Sequence, residues 1–230
     1  MRFCALALAL WPVSAGAQSI TEAEFTDPTT RYAHGILGDA VEWGGLRFVA
    51  DGATYQITLP NTHVFEDIAP RLWDMTGDGS PEIVVIETEI ARGAALAIYG
   101  AEGKIAQTPY IGRTHRWLSP IGAVDLDGDG AIEVAYIDRP HLAKTLRIWR
   151  FEDGGLTHVH DLPGLTNHRI GEDNIAGGLR DCGQGPEMIT ANANWTRIIA
   201  TVYVGGRSQS RDIGPHVDRS SFASALACEF

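Results

Sequence analysis

Short apolar runs rich in β-branched and aromatic residues alternate along this chain with Gly and Asp-Gly segments, the pattern of strands joined by tight turns. Ile83-Val84-Val85-Ile86 and Val134-Ala135-Tyr136-Ile137 are the plainest such runs. Each follows an acidic loop of one design, Asp74-Met75-Thr76-Gly77-Asp78-Gly79-Ser80-Pro81-Glu82 and Asp125-Leu126-Asp127-Gly128-Asp129-Gly130-Ala131-Ile132-Glu133. Oxygens at positions 1, 3 and 5 of such a loop converge on a calcium ion, Gly at position 6 permits the sharp turn, and Glu at position 9 closes the cage. A helical EF-hand carries its closing Glu at position 12, where Val85 and Tyr136 stand here. The loops are therefore expected to join strands.

The loops belong to a longer repeat. His63, His115, His168 and His216 recur with a period of about 50 residues, each upstream of a loop position. The units run over 63–114, 115–167 and 168–215. In the third, the segment from Asp181 to Glu187 is shorter and lacks the middle carboxylates, so no calcium is expected there. Residues 216–230 read as the first strand of a fourth unit, and 31–62 as its remainder, split between the chain ends. Complementary ends fasten a closed ring, so the expected fold is all-β, a β-propeller of about four blades. The alternative is an open β-repeat array, which needs capped ends. Residues 18–30 are left as an arm.

Composition changes this picture little: 230 residues, 44% hydrophobic and 20% charged, are those of one sizeable domain over 18–230. Residues 1–17 read as an export signal, with Arg2, an apolar core from Cys4 to Trp11 and small residues at Ala15-Gly16-Ala17. The core is too short to span a bilayer, so a soluble periplasmic or secreted protein is expected. Cys182 and Cys228 then remain, and a single bridge between them is the natural pairing outside the cytoplasm; two free thiols are the alternative. The formal charge of −11 argues against nucleic acid as a partner and fits cation-binding loops.

These loops, paired with strands and repeated in an exported chain, resemble FG-GAP or VCBS-type repeats of integrin-like β-propellers and bacterial surface and periplasmic proteins. The resemblance implies two structural Ca2+ ions. One is held by Asp74, Thr76, Asp78, the Ser80 carbonyl and Glu82, the other by Asp125, Asp127, Asp129, the Ala131 carbonyl and Glu133. With four carboxylates against three, the Asp125 loop is expected to fill first.

The recurring histidines, with Arg116, Arg169, Glu172 and Asp173 just beyond them, are candidates for ligand binding at a channel mouth; Glu66, Asp67 and Arg219 occupy similar offsets. The repeat itself also accounts for the histidines as structural groups bonding backbone between units. His158 and His160, beside Asp161, alternate onto one strand face as a second metal candidate, although a solvated strand explains them equally. Trp43, Trp73, Trp117, Trp149 and Trp195 are assigned to cores and seams. No nucleophile elbow, phosphate loop or zinc-protease motif is present. The expected function is a non-catalytic binding or scaffold module for a protein, glycan or envelope component. The alternative is a calcium-dependent hydrolase or lyase acting through His and carboxylates at the channel mouth.

Overall fold

The computed structural model describes residues 19–230, and the export signal expected over 1–17 lies outside the described residues. Strands β1 (Ile20–Thr29), β2 (Glu42–Ala50) and β3 (Ala53–Thr58) form an antiparallel unit centred on β2. After the short β4 (His63–Phe65) come β5 (Arg71–Trp73), β6 (Glu82–Glu89), β7 (Gly93–Gly100) and β8 (Gly103–Gln107), a four-stranded meander. Strand β4 pairs with both β2 and β6 and so joins the first two units into one sheet. A second meander follows in β9 (Leu118–Val124), β10 (Ile132–Asp138), β11 (Thr145–Glu152) and β12 (Gly155–Pro163). After β13 (Leu165–Thr166), a third comprises β14 (Gly178–Asp181), β15 (Pro186–Asn192), β16 (Arg197–Val204) and β17 (Arg207–Pro215). The chain closes on helix α1 (Ser220–Leu226). The fold is all-β, built of curled antiparallel sheets.

Strand alternation explains how these units pack. On β6, Ile83 and Val85 point into one core with Leu46 and Phe48 of β2, while Val84 and Ile86 point into another with Val134, Tyr136 and Trp149. On β10, Ala135 and Ile137 face a third core shared with Met188 and Tyr203. Each middle unit is thus buried on both faces, which is why its central strands read as unbroken apolar runs. At about 25 cal/mol per Å² of buried apolar surface, these seams are the main stabilising term.

The two ends of the series differ from the expected fastening. Residues 216–230 do not complete the first unit: they carry α1, whose Phe222 and Ala225 pack on Ile189, Ala191 and Ile198 of the last meander. Residues 20–29 are not an arm, because β1 takes the strand position beside β2 and stacks Phe25 on Phe65, with ring centroids 5.2 Å apart. The Asp and Glu residues of β1 disguised this strand; its outer face is polar because it is an end face, where Glu24 pairs with Arg47 and Gln56 donates to Thr26. The helix and this polar strand face stand at the two ends of the series. Among the described residues no strand pairing joins the last meander to the first unit; a loop contact does, Gly171 N–H donating to the Ile36 carbonyl at 3.1 Å.

Candidate functional site

The acidic loops are β5–β6 and β9–β10 connections, and they fold alike. Asp74 accepts the N–H groups of Gly77 at 2.7 Å and Gly79 at 2.9 Å, and Asp125 those of Gly128 at 2.7 Å and Gly130 at 2.9 Å. Gly79 and Gly130, at position 6, have φ of +87° and +93°, a conformation few other residues adopt. Asp78 and Asp129 accept from the Ser80 and Ala131 N–H groups at 2.8 and 3.0 Å. The closing glutamates reach back into the loop: Glu82 accepts from Met75 N–H at 2.8 Å, and Glu133 from Leu126 N–H at 2.9 Å. Thr76 lies 3.4 Å from Asp74 through its hydroxyl.

Glu82, Glu133 and Glu187 hold one register position, opposite the residue that precedes each loop: Trp73, Val124 and Arg180. All three are buried. Their counter-charges differ. Glu187 is bound by Arg180 at 2.8 Å and Arg211 at 2.8 Å. Glu133 is bound by Arg150, its cross-strand partner on β11, at 2.8 Å. Glu82 has no lysine or arginine partner among the described residues; Tyr99 pairs with Ile83, and the next residue of β7, Gly100, has no side chain to offer. Burial, reinforced by the Asp78 and Asp74 charges, pushes the Glu82 carboxyl above its usual range. Burial raises Glu133 as well, against the pull of Leu126 N–H and Arg150.

Arg150 bears on the expected filling order. Its guanidinium also lies 3.2 Å from Asp127 and 2.7 Å from Asp129. Four carboxylates less one guanidinium leave a formal −3 at the Asp125 loop, equal to that of Asp74, Asp78 and Glu82, so the charge advantage read from sequence disappears. Donor chemistry at both loops is all oxygen, which suits a hard cation. Asp125, Asp127 and Glu133 already bring ligand oxygens within 4.8 Å of one another.

The third loop keeps only the Asp turn, with Asp181 accepting from Gly183 N–H at 2.7 Å and Gly185 N–H at 3.1 Å. Cys182 is bridged to Cys228 with Cα atoms 5.8 Å apart, which ties the loop to the end of α1. Arg180 also donates to the Ala225 carbonyl, in the last turn of that helix, at 2.5 Å.

The repeated histidines do not share a site. His115 and Arg116 line a pocket of about 220 Å³, together with His34, Trp117, Arg139 and His141. His168 lies behind it, fully buried, between His141 and the Trp117 ring. His63 contacts Thr62 and Tyr110 instead, and His216 packs on Trp195 and Phe222. Arg169 covers the Trp195 ring at 4.3 Å and sits 4.0 Å from Glu172, while Asp173 pairs with Arg219 at 3.5 Å. These charges border the pocket through Ile170 and do not enter it. The His158–His160 candidate also separates. A bulge on β12 sets His158 opposite Trp149 and His160 opposite Ile148, so the two rings leave opposite faces, one to Asp161 and the other to Ser208.

Two pocket histidines, His34 and His141, fall outside the repeat register and escaped the sequence reading. His34 Nδ1 contacts Glu66 Oε1, while Thr88 donates to Glu66 Oε2 at 2.6 Å and Trp117 Nε1 to the Glu66 carbonyl at 2.7 Å. His141 Nε2 lies 3.0 Å from His168 Nδ1, and His168 Nε2 donates to the Glu172 carbonyl at 2.9 Å. Burial holds His141 down at about 4 and lowers His168 too, so both rings are neutral near pH 7. Behind them Glu42 is buried beside the Glu66, Asp39 and Asp67 charges, and desolvation carries its carboxyl up to about 9. His115 takes a left-handed φ of +54°, fixed by its N–H donating to the Tyr32 hydroxyl at 2.8 Å, and Arg139 takes +47°. Non-glycine residues in this conformation at two points of one pocket mark it as a place where the chain is held against its preference.

Among the described residues no helix is long and apolar enough to cross a membrane. Comparison with protein-family models, with curated proteins and with solved structures gave no match.

Proposed function

We propose that the protein is an exported, calcium-stabilised repeat module of FG-GAP/VCBS type whose four units act as propeller-like blades, and that it works by binding rather than by catalysis. One observation carries the reading. Three glutamates share a register position; two are met by arginines and the first, Glu82, by none among the described residues. A buried carboxylate without a counter-ion is expensive, and an oxygen-lined loop that gathers Asp74 and Asp78 around it is suited to take that ion from solution. The partner is a protein, glycan or envelope component, and the loops around the histidine pocket, with exposed Leu142 and Ile170 on its lip, are the surface that meets it. Equilibrium dialysis of the full chain against calcium tests the premise: two ions per chain, with Asp74→Asn and Asp125→Asn each removing one. Binding that survives both substitutions would sink it.

A hydrolase or lyase is the second reading, favoured by the contact of His34 with the buried Glu66 carboxylate inside a concave pocket, the arrangement of a general base with its orienting acid. Turnover of a glycoside or ester panel that is lost in Glu66→Gln, with folding intact, would move the protein into that class.

A further inference from the structure

We infer that the pocket is a binding site for a borderline transition-metal ion of the zinc class, held by the imidazoles of His34, His141 and His115 and separate from the two acidic loops. The inference goes beyond the calcium reading and does not depend on it.

The hydrogen bonds behind the pocket assign the nitrogens. Thr88 donates to one oxygen of Glu66 and His34 Nδ1 contacts the other; the proposed site takes the proton of that contact on His34 Nδ1, which leaves Nε2 with its lone pair. The Glu172 carbonyl can only accept, so His168 is protonated on Nε2 and accepts through Nδ1. His141 must then donate through Nε2, and its Nδ1 is left as a lone pair. An imidazole whose rear N–H is tied to a carboxylate, or to another fixed acceptor, is the supporting arrangement of metal-ligating histidines: it sets the tautomer and raises ligand basicity. Here two histidines that line one pocket, His34 and His141, have it in this assignment.

His115 supplies the third ring, packed 5.1 Å from His34 and 5.2 Å from Tyr32, with neither ring nitrogen hydrogen-bonded among the described residues. Among the described residues no acidic side chain lines the pocket, which disfavours calcium or magnesium and favours an ion that accepts nitrogen donors. Three imidazoles with an open fourth position are a recurring zinc arrangement. The positive charge of an ion is offset from behind by Glu66, while Arg139 is already neutralised by two bonds of 2.8 Å to Asp138. Arg116 sits at the same pocket and suits an anionic fourth ligand. Among the described residues, Asp125, Asp127 and Glu133 are the one trio whose ligand atoms already lie within 4.8 Å of one another. The three imidazoles are not such a trio, so holding an ion takes movement of these rings from the positions they occupy here.

The test is a Co2+ titration of the full chain in saturating calcium, so that oxygen sites are occupied, followed by Zn2+ displacement. One Co2+ per chain with the visible bands of a four-coordinate nitrogen site is expected. His34→Ala or His141→Ala should weaken binding by at least about 100-fold, and Glu66→Gln, which loosens the support without removing a ligand, by about 10- to 100-fold. His63→Ala, away from the pocket, should leave it unchanged. A variant that misfolds is replaced by ring ¹⁵N spectra of the wild-type protein, in which Zn2+ must move His34, His115 and His141 and leave His63 and His216 in place. An unchanged octahedral Co2+ spectrum, equal binding by both alanine variants, or Zn2+ shifts at other histidines would overturn the inference.

Discussion

The loops at Glu82 and Glu187 solve one electrostatic problem in opposite ways. Each begins with an Asp turn and ends with a glutamate buried at the first or second residue of the next strand. At Glu187 the chain provides the cation itself, through Arg180, whose side chain is 2% exposed, and Arg211, and staples the loop to α1 with the Cys182–Cys228 bridge. At Glu82 it provides carboxylates and, among the described residues, no lysine or arginine; in the calcium proposal the positive charge comes from outside. In the calcium proposal, loss of the middle acids in the third loop replaces an ion by guanidinium groups, and the Asp125 loop, with Arg150 already across it, stands between the two.

The strongest way to break this comparison is to remove the built-in cation. Arg180→Ala leaves Glu187 buried with Arg211 alone, which is 58% exposed, and should destabilise the protein by about 3–5 kcal/mol in denaturant unfolding. The double variant Arg180→Ala/Glu187→Gln should recover much of that loss; no recovery would mean that Arg180 acts through Ala225 and α1. Reducing the disulfide, or Cys182→Ser with Cys228→Ser, removes the covalent part and should cost about 2–4 kcal/mol.

Glu42 sharpens the comparison by showing a third solution, in which a proton is the counter-ion. Its carboxyl is raised from 4.5 to about 9 in the folded protein. The folded state therefore holds the proton more tightly than the unfolded chain, and this contribution is complete below pH 4.5 and declines as pH rises toward 9. Glu42→Gln should flatten that decline and raise stability at pH 8 by at least about 1 kcal/mol, read from urea midpoints across the pH range. The smallest effect is expected at the intermediate loop: Arg150→Met should raise calcium affinity at the Asp125 loop by roughly two- to five-fold, as for release of a partly buried ion pair.

Much of the local structure is legible in sequence because it depends on local chemistry. The two loops, their glycine turns and the strands that follow are written in consecutive residues, and the bridge between Cys182 and Cys228 joins the two cysteines that remain once the expected export signal is set aside. What stayed hidden depends on cross-strand and end effects. Arg150 meets Glu133 only through β10–β11 register, and nothing in the loop itself announces it. Strand β1 reads as polar because one of its faces is an end of the series, and α1 occupies residues whose offset from His216 suggested another strand. The pocket histidines His34 and His141 come from connections outside the repeat, so periodicity drew attention to His63 and His216 instead.

The most direct test of an externally supplied cation at Glu82 is thermal unfolding of the wild-type chain and of Glu82→Gln, each in calcium and in chelator. In chelator the neutral amide should melt above the wild type, because it removes an uncompensated buried charge while still accepting from Met75. In calcium the order should reverse, with the wild type gaining about 2.7 kcal/mol at a calcium concentration 100 times the dissociation constant. A wild-type midpoint indifferent to calcium, or two curves that shift in parallel, would contradict it.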